Sequence, residues 1–272
     1  MHHNVRMDLG LRDRVYLVTG GSRGLGFAAA QALVAEGARV LVSAPHQATA
    51  ESAAARLTQG TTAGAAAWAV ADNADPAAPG QLIAAARDRF GRLDGALISV
   101  GGSPAGTVAA TADEAWRSAF ESVFLGAIRL AREVAAGLDG TRDDGSLSGT
   151  GGSIAFVLAA SVRAPLPGLA ISNGLFPGLA GVVKTLADEH GPAGIRINGL
   201  LPVRVATDRV RELDALQGDP DEVRARLSQA IPLRRYGEPA EFGQAAAFVL
   251  SPAASYITGA MIPVDGGAIR SI

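Results

Sequence analysis

Apolar segments of strand length alternate with helix-length segments along nearly the whole chain. The first, residues 14–19, is rich in β-branched and aromatic side chains, and an alanine-rich helical pattern follows it as far as Gly37. The strand-like segments are apolar throughout rather than alternately polar, which is typical of strands buried on both faces. This pattern predicts a doubly wound α/β fold of about seven parallel strands with helices on both faces of the sheet. The predicted strands are residues 14–19, 38–43, 66–72, 94–100, 153–158, 195–200 and 260–264.

Length and composition predict a single domain, residues 1–272. Of the 272 residues, 48% are hydrophobic and 18% are charged, which is enough to bury one sizeable core. Residues 1–6 carry no such pattern and are interpreted as an extension. Residues 202–236 are charged and interrupted by proline and glycine, and we expect two short helices there that cover the substrate cleft at the strand ends.

The composition disfavours several classes of function. A formal net charge of −2 leaves no basic surplus for a nucleic-acid backbone, so no nucleic-acid partner is expected. The chain has no cysteine, and its histidine and acidic residues form no cluster with metal-ligand spacing, so no metal is expected. No apolar run reaches the roughly 18 residues of a membrane span, so we expect no membrane partner and a cytoplasmic location.

A glycine-rich turn joins the first predicted strand to the first predicted helix. It contains Gly20, Gly24 and Gly26. Glycine permits positive φ and close backbone approach, and the positive end of the following helix attracts a pyrophosphate. After the first strand of an alternating chain, this turn predicts a dinucleotide site rather than only tight strand-to-helix packing.

The residues of this turn resemble those of a known family. Residues 19–26 read Thr-Gly-Gly-Ser-Arg-Gly-Leu-Gly and resemble the Thr-Gly-x-x-x-Gly-x-Gly turn of the short-chain dehydrogenase/reductase family. Residues 195–198 with Pro202 resemble its sixth-strand signature, and residues 264–267 resemble its C-terminal Val-Asp-Gly-Gly. The similarity runs from about residue 9 to residue 268, and its general likeness is to the 3-oxoacyl-carrier-protein reductase group. The resemblance implies a Rossmann-type fold and an NAD(P)(H)-dependent oxidoreductase.

The resemblance also assigns cofactor contacts. Asp72 falls where the family binds the adenine, and Thr207 falls where a family threonine binds the carboxamide. The candidate cofactor-binding residues are Gly20, Ser22, Arg23, Gly24, Leu25, Gly26, Asp72, Asn73, Pro202, Val205 and Thr207.

The choice between NADP and NAD depends on the end of the second strand. An acidic residue there accepts a hydrogen bond from the ribose 2′-hydroxyl of NAD, but this chain has Ala44. Arg23, in the glycine turn, is a candidate partner for the 2′-phosphate of NADP. NADP is therefore the preferred cofactor and NAD the alternative.

The usual catalytic residues of the family are missing. The resemblance implies a serine, a tyrosine that exchanges a proton with the substrate oxygen, and a lysine that lowers the tyrosine pKa. Those positions hold Ala159, Ser172 and Phe176, and the position of the family's structural asparagine holds Val123. The sequence therefore predicts an active site without its usual proton donor.

Residue counts support this prediction independently of the alignment. Lys184 is the only lysine in the chain, and the residue four positions before it is an alanine. No tyrosine lies between Tyr16 and Tyr236. A shifted register therefore cannot restore the tyrosine and lysine pair.

Three residues are candidates for the missing catalytic role: Ser172, Ser161 and Arg163. Ser172 lies at the mouth of the predicted cleft, Ser161 follows the family serine position by two residues, and Arg163 is the nearest cation after the fifth strand. Two of them also have a structural interpretation. Ser172 is a candidate N-cap of the next helix, and Arg163 a candidate surface residue.

These features leave three functions open. The first is an NADP-dependent oxidoreductase whose proton comes from water, from the substrate or from Ser172. The second is a catalytically inactive nucleotide-binding scaffold or regulatory partner of an active relative. The third is an enzyme that reduces an imine or an activated alkene, which needs no tyrosine acid.

Two partners are expected. The first is a small-molecule substrate with an apolar part, because apolar residues line the predicted cleft. They are Leu158, Leu166, Leu169 and Phe176. The second is another copy of the chain, in a dimer or tetramer, because the helices predicted over 112–138 and 173–190 carry alanine- and glycine-rich stripes that allow close pairing.

Overall fold

Seven parallel strands form one sheet in the order β3-β2-β1-β4-β5-β6-β7, which confirms the predicted fold class. The computed structural model describes residues 7–59, 61, 64–102, 104–138 and 151–271, and the predicted extension at residues 1–6 lies outside them. The strands are β1 (Val15–Val18), β2 (Arg39–Ala44), β3 (Ala66–Val70), β4 (Gly95–Ile98), β5 (Ser153–Val157), β6 (Arg196–Pro202) and β7 (Met261–Val264).

Helices connect the strands and cover both faces of the sheet. They are α1 (Gly24–Ala35), α2 (Gln47–Thr58), α3 (Ala78–Phe90), α4 (Asp113–Ala119), α5 (Gly126–Gly137), α6 (Ala170–His190), α7 (Asp208–Ala215), α8 (Pro220–Ser228) and α9 (Pro239–Leu250). A π-helix, Phe120–Leu125, joins α4 to α5, and short 3₁₀ turns occupy Ala160–Val162, Gly191–Ala193 and Pro252–Ala254.

The strands are apolar throughout because each face of the sheet carries its own apolar layer. Leu17 of β1 packs into one layer, and its neighbour Val18 packs into the other. Helices α1, α2 and α9 cover one face, and α3, α5 and α6 cover the other. Representative buried side chains are Leu33, Leu57 and Phe242 on the first face and Leu82, Leu130 and Leu179 on the second.

The order of the strands reverses at β1, which pairs with β2 on one side and with β4 on the other. In an open α/β sheet such a switch point leaves a crevice at the carboxyl ends of the two diverging strands. The glycine-rich turn follows β1 directly, so the fold places it at this crevice.

The helix predicted over residues 112–138 is interrupted. The structure divides it into α4, the π-helix and α5. The wider π turn places Val123 in the core, while Phe120 and Phe124 stack on each other with ring centroids 5.2 Å apart.

Within the described part of the chain, no helix is both long and apolar enough to cross a lipid bilayer.

Candidate functional site

The turn after β1 requires glycine at several positions. Gly20 and Gly24 have φ values of +58° and +57°, a left-handed conformation that side chains disfavour. A Cβ atom at Gly26 would lie 2.4 Å from the carbonyl oxygen of Gly20. The backbone of this turn therefore closes on itself more tightly than any other residue type allows.

Helix α1 begins at the end of this turn with its positive end open to an anion. Its first turn contains no acidic residue, and Arg23, at the N-cap position, makes no side-chain cap. The Arg23 side chain is exposed. A cationic side chain and a helix N-terminus therefore lie together where the sequence predicts a phosphate.

Thr19 links the turn to the strand on the other side of the crevice. Its hydroxyl accepts a hydrogen bond from the Ser99 amide at 2.9 Å and donates one to the Ser99 carbonyl at 3.1 Å. The Thr19 amide also donates to the Leu97 carbonyl at 3.1 Å. The sequence does not predict this contact between Thr19 and Ser99, although Thr19 begins the turn motif. Together they hold the loop after β4 against the glycine turn.

The end of β2 borders the same turn. The Gly21 amide donates to the Ser43 carbonyl at 3.2 Å, and a Cβ atom at Gly21 would lie 2.9 Å from Val42 Cγ1. Ala44 ends the strand and is buried, and His46 is exposed at the start of α2. Residues 44–46 thus present no carboxylate beside the turn.

The predicted adenine contacts lie after β3. Asp72 is exposed, and one of its carboxylate oxygens accepts the Ala74 amide at 2.9 Å. The backbone of Asn73 packs against α5, where a Cβ atom at Gly126 would lie 2.3 Å from the Asn73 carbonyl oxygen. These contacts fix the backbone of the segment and leave the Asp72 side chain at the surface.

The segment after β6 approaches the glycine turn from the opposite side. Pro202 ends β6, and Val205 is buried. Thr207 is the N-cap of α7, its hydroxyl accepting the Val210 amide at 3.4 Å. The Thr207 Cγ2 methyl lies 3.8 Å from the position of a Cβ atom on Gly24. The structure therefore brings Thr207 to the predicted phosphate turn.

Helix α7 also reaches the loop after β4. A Cβ atom at Gly102 would lie 2.9 Å from Nε of Arg209 on this helix. The two short helices predicted within residues 202–236 are present as α7 and α8, and the start of α7 lies beside the glycine turn and the loop after β4.

Ser161 and Ser172 form a buried pair. Their hydroxyl oxygens are 3.2 Å apart, and the Ser161 hydroxyl also donates to the Ser172 carbonyl at 3.3 Å. The side chains are 4% and 7% exposed. The structure thus brings two of the three catalytic candidates together.

The N-cap interpretation of Ser172 is wrong. Helix α6 begins at Ala170 with Leu169 as its N-cap residue, so Ser172 lies inside the first turn and its side chain points to Ser161 instead of capping. The third candidate, Arg163, is exposed on the following loop and makes no hydrogen bond to either serine.

The other positions to which the resemblance assigns a catalytic or structural polar residue hold apolar side chains. Phe176 and Val123 are buried in the same core layer, and Ala159 packs against it. No titratable side chain occupies these three positions. Within the described ranges, no three histidine, aspartate or glutamate side chains lie close enough together to hold a metal ion.

Asn173 holds the loop that borders the serine pair. Its side-chain amide donates to the Leu166 carbonyl at 2.8 Å, and its side-chain oxygen accepts the Leu166 amide at 2.9 Å. A backbone bridge between Gly106 and Leu169 ties the same loop to the segment after β4. The only sign of this role in the sequence is an amide side chain near the start of a helix.

The chain is similar to known proteins over nearly its whole length. Residues 20–268 match the family profile described as enoyl-(acyl carrier protein) reductase. The chain is 34% identical to levodione reductase of Leifsonia aquatica over 268 residues, which is 94% of each chain. It superimposes on L-sorbose reductase of Gluconobacter frateurii, solved with NADPH and L-sorbose, with a TM-score of 0.87 and 27% identity, covering 98% of this chain and 100% of that one.

A further solved structure agrees with these two. A variant of actinorhodin polyketide ketoreductase solved with NADPH has a TM-score of 0.86 and 26% identity, covering 95% of this chain and 98% of that one. Because the family profile and the levodione reductase both match nearly the whole length, the chain belongs to the short-chain dehydrogenase/reductase family of oxidoreductases.

Proposed function

We propose that the protein is an NADP(H)-dependent oxidoreductase that acts on a small molecule with an apolar part. The observation that carries this proposal is the intact glycine turn at the β1 switch point, with its left-handed Gly20 and Gly24 and the open start of α1. Two solved relatives with the same fold contain NADPH, which supports the same cofactor here. When bound, the nicotinamide supplies or accepts a hydride.

The residues around the turn favour NADP(H) over NAD(H). The exposed Arg23 guanidinium lies at the N-terminus of α1, where it pairs with a 2′-phosphate in this proposal. Residues 44–46 offer no carboxylate that would repel that phosphate or bind an unmodified ribose. Phe176 cannot donate a hydrogen bond to the nicotinamide ribose, so the glycine turn and Thr207 carry more of the binding than in relatives with a lysine.

The serine pair sets the chemistry that the chain itself can perform. Either hydroxyl can turn to donate a hydrogen bond to a substrate oxygen, which orients the substrate. Among the described residues the two hydroxyls hydrogen bond to each other and to the Ser172 carbonyl and to no charged group, and an unassisted serine is a poor acid near neutral pH. The proton comes from water or from the substrate in this proposal.

This arrangement predicts slow reduction of ordinary ketones. A positioned general acid contributes about 10²–10⁴-fold to a rate, whereas orientation of the reacting groups is retained without it. Substrates that need no acid, such as iminium ions or activated alkenes, are expected to react faster than simple ketones.

The experiment follows oxidation of NADPH by absorbance with a panel of ketones, imines and conjugated alkenes. A Gly26→Ala variant, in which the turn cannot close, is the matched control. Oxidation by the natural protein that is absent from the control supports the proposal. Tight NADPH binding with no oxidation of any acceptor contradicts the enzymatic part of it.

A nucleotide-binding scaffold without turnover is the second candidate function. The observation that favours it is that apolar side chains, Ala159, Phe176 and Val123, stand where the resemblance implies the catalytic serine, the lysine and the structural asparagine. This candidate predicts NADPH binding, no turnover, and co-purification with an active relative.

We also propose that the chain forms a dimer or tetramer. A Cβ atom at Gly181 on α6 would meet nothing within 4 Å, so this part of the helix is open to close pairing. Gly178, by contrast, is covered by Phe124 of the same chain, where a Cβ atom would lie 2.9 Å from the ring. Light scattering that reports only monomer at micromolar concentration contradicts this proposal.

A further inference from the structure

Helix α7 is attached to the rest of the protein by an unusual buried group. Asp214 is the one buried side chain of this helix, and it is 2% exposed. No apolar side chain of α7 is fully buried. Val210 and Leu213 are only partly buried, so the one fully buried side chain that anchors this helix is a carboxylate.

Both oxygens of the Asp214 carboxylate are paired. The Arg204 guanidinium forms an ion pair with one oxygen, and the Tyr236 hydroxyl donates to the other at 3.0 Å. Arg204 and Arg224 also lie against the Tyr236 ring, at 5.9 Å and 5.3 Å from its centroid. The cluster of Asp214, Tyr236, Arg204 and Arg224 joins the segment after β6, both short helices and the segment before α9.

Arg204 links this group to the backbone that approaches the glycine turn. Its φ of +50° is left-handed, a conformation that costs a non-glycine residue roughly 1 kcal/mol or more. Its carbonyl accepts the Gly237 amide at 3.1 Å, and the Gly237 carbonyl accepts the Ala206 amide at 2.8 Å. Thr207 follows directly. The conformation of Arg204 therefore determines where Thr207 lies.

We propose that Asp214 is a positioning residue for the nucleotide site: by binding Arg204 and Tyr236 it fixes residues 204–207 and so places Thr207 against the glycine turn. Its role in nucleotide binding rests on the proposed function. Its effect on residues 204–207 does not, because the hydrogen bonds involved lie entirely within the chain.

The first measurement is hydrogen exchange of the nucleotide-free protein. In Asp214→Asn the ion pair loses its charge, and the remaining amide cannot match both donors. Amides of residues 204–210 are expected to exchange about tenfold faster than in the natural protein, which corresponds to about 1.4 kcal/mol. Amides of α9 and of the central strands are expected to be unchanged.

The matched control is Asp221→Asn. Asp221 forms an ion pair with Arg211 between the same two helices, but both side chains are mostly exposed, so its loss is expected to change exchange little. Tyr236→Phe removes only the hydroxyl donor and is expected to have an intermediate effect. Uniformly faster exchange throughout Asp214→Asn, or equal effects of Asp214→Asn and Asp221→Asn, overturns the proposal.

The second measurement is the dissociation constant for NADPH. Asp214→Asn is expected to weaken binding by about tenfold, with a melting temperature only a few degrees below that of Asp221→Asn. Unchanged affinity despite faster exchange at residues 204–210 overturns the link to the nucleotide site. If the natural protein binds no NADPH, the proposed function fails, and the exchange measurement still decides whether Asp214 positions these residues.

Discussion

The hydroxyl oxygens of Ser161 and Ser172 lie 3.2 Å apart inside the protein, where the first turn of α6 meets the segment after β5. Each serine is the nearest hydrogen-bonding partner of the other, and the pair is covered by the first turn of α6. The proposed function makes these two hydroxyls, rather than a phenol, the groups that orient a substrate oxygen.

Removing the hydroxyl of Ser161 or Ser172 alone should cost more than half of the stability that is lost when both hydroxyls are removed. Ser172→Ala leaves the buried Ser161 hydroxyl with only the carbonyl of residue 172, and we expect a loss of about 1 kcal/mol in the free energy of unfolding. The double variant Ser161→Ala with Ser172→Ala is expected to lose less than the sum of the single changes. Urea unfolding measures all three. Strict additivity would show that the two hydroxyls do not interact.

Restoring the family residues should restore ketone reduction. The paired change Ser172→Tyr with Phe176→Lys is expected to raise carbonyl reduction above the natural protein, because the ammonium lowers the tyrosine pKa. Either change alone is expected to do little. Initial rates of NADPH oxidation with a simple ketone measure the effect, and Ala159→Ser should add a hydrogen bond to the substrate oxygen.

Phe176 is buried, so the melting temperature of each repaired variant is the control for misfolding. The prediction is contradicted if the natural protein already turns over a simple ketone at about 10 s⁻¹, a median rate for enzymes. An unrecognised group would then donate the proton.

Much of the fold could be predicted because its signals are local. Each buried strand is a short apolar run, and the glycine turn is contiguous in sequence. The π-helix has no clear signal in the sequence because one wider turn barely changes the hydrophobic period. The sequence predicts the start of α6 three residues late because its N-cap is Leu169, which has no capping side chain.

The contacts that build the site were less accessible to sequence reasoning. Thr19 and Ser99 are 80 residues apart and meet only because β1 and β4 are neighbours in the sheet. The pairing of Arg204 with Asp214 depends on the direction in which α7 leaves β6. Neither relationship has a sequence pattern of its own, whereas the absence of any tyrosine between Tyr16 and Tyr236 can be read directly from the sequence.

Two glycine substitutions should have opposite effects. Gly26→Ala places a Cβ atom 2.4 Å from a backbone oxygen, so we expect lower stability and at least about tenfold weaker NADPH binding. Gly80→Ala, at a position of α3 where a Cβ atom would meet nothing within 4 Å, is expected to leave NADPH binding unchanged and to stabilise the protein by up to about 1 kcal/mol. Thermal unfolding and NADPH titration of both variants test this. Equal behaviour of the two variants would contradict the close approach described for Gly26.

Stability should fall at alkaline pH because of Tyr16. Burial raises the pKa of this hydroxyl above its ordinary value of 10.0, and the hydroxyl donates to the Leu250 carbonyl at 3.2 Å. Above pH 10 the unfolded chain loses this proton while the folded chain keeps it, so unfolding becomes easier by up to about 1.4 kcal/mol per pH unit. Below the unfolded value the contribution is constant.

Urea unfolding between neutral pH and pH 11 measures this dependence, pH 11 being about one unit above the ordinary tyrosine pKa. Tyr16→Phe is expected to flatten the alkaline limb, and Tyr256→Phe, at a fully exposed position, to leave it unchanged. An alkaline limb that is the same in Tyr16→Phe and in the natural protein would assign the loss to another group.

Calorimetric titration with NADPH and with NADH tests the central proposal most directly. We predict that NADPH binds with about micromolar or tighter affinity and that NADH binds more weakly. Arg23→Ala is expected to reduce the difference between the two affinities. Loss of the difference in Arg23→Ala with NADH affinity unchanged would assign the preference to the guanidinium. If neither nucleotide binds the natural protein, the glycine turn is not a cofactor site and the proposed oxidoreductase function is wrong.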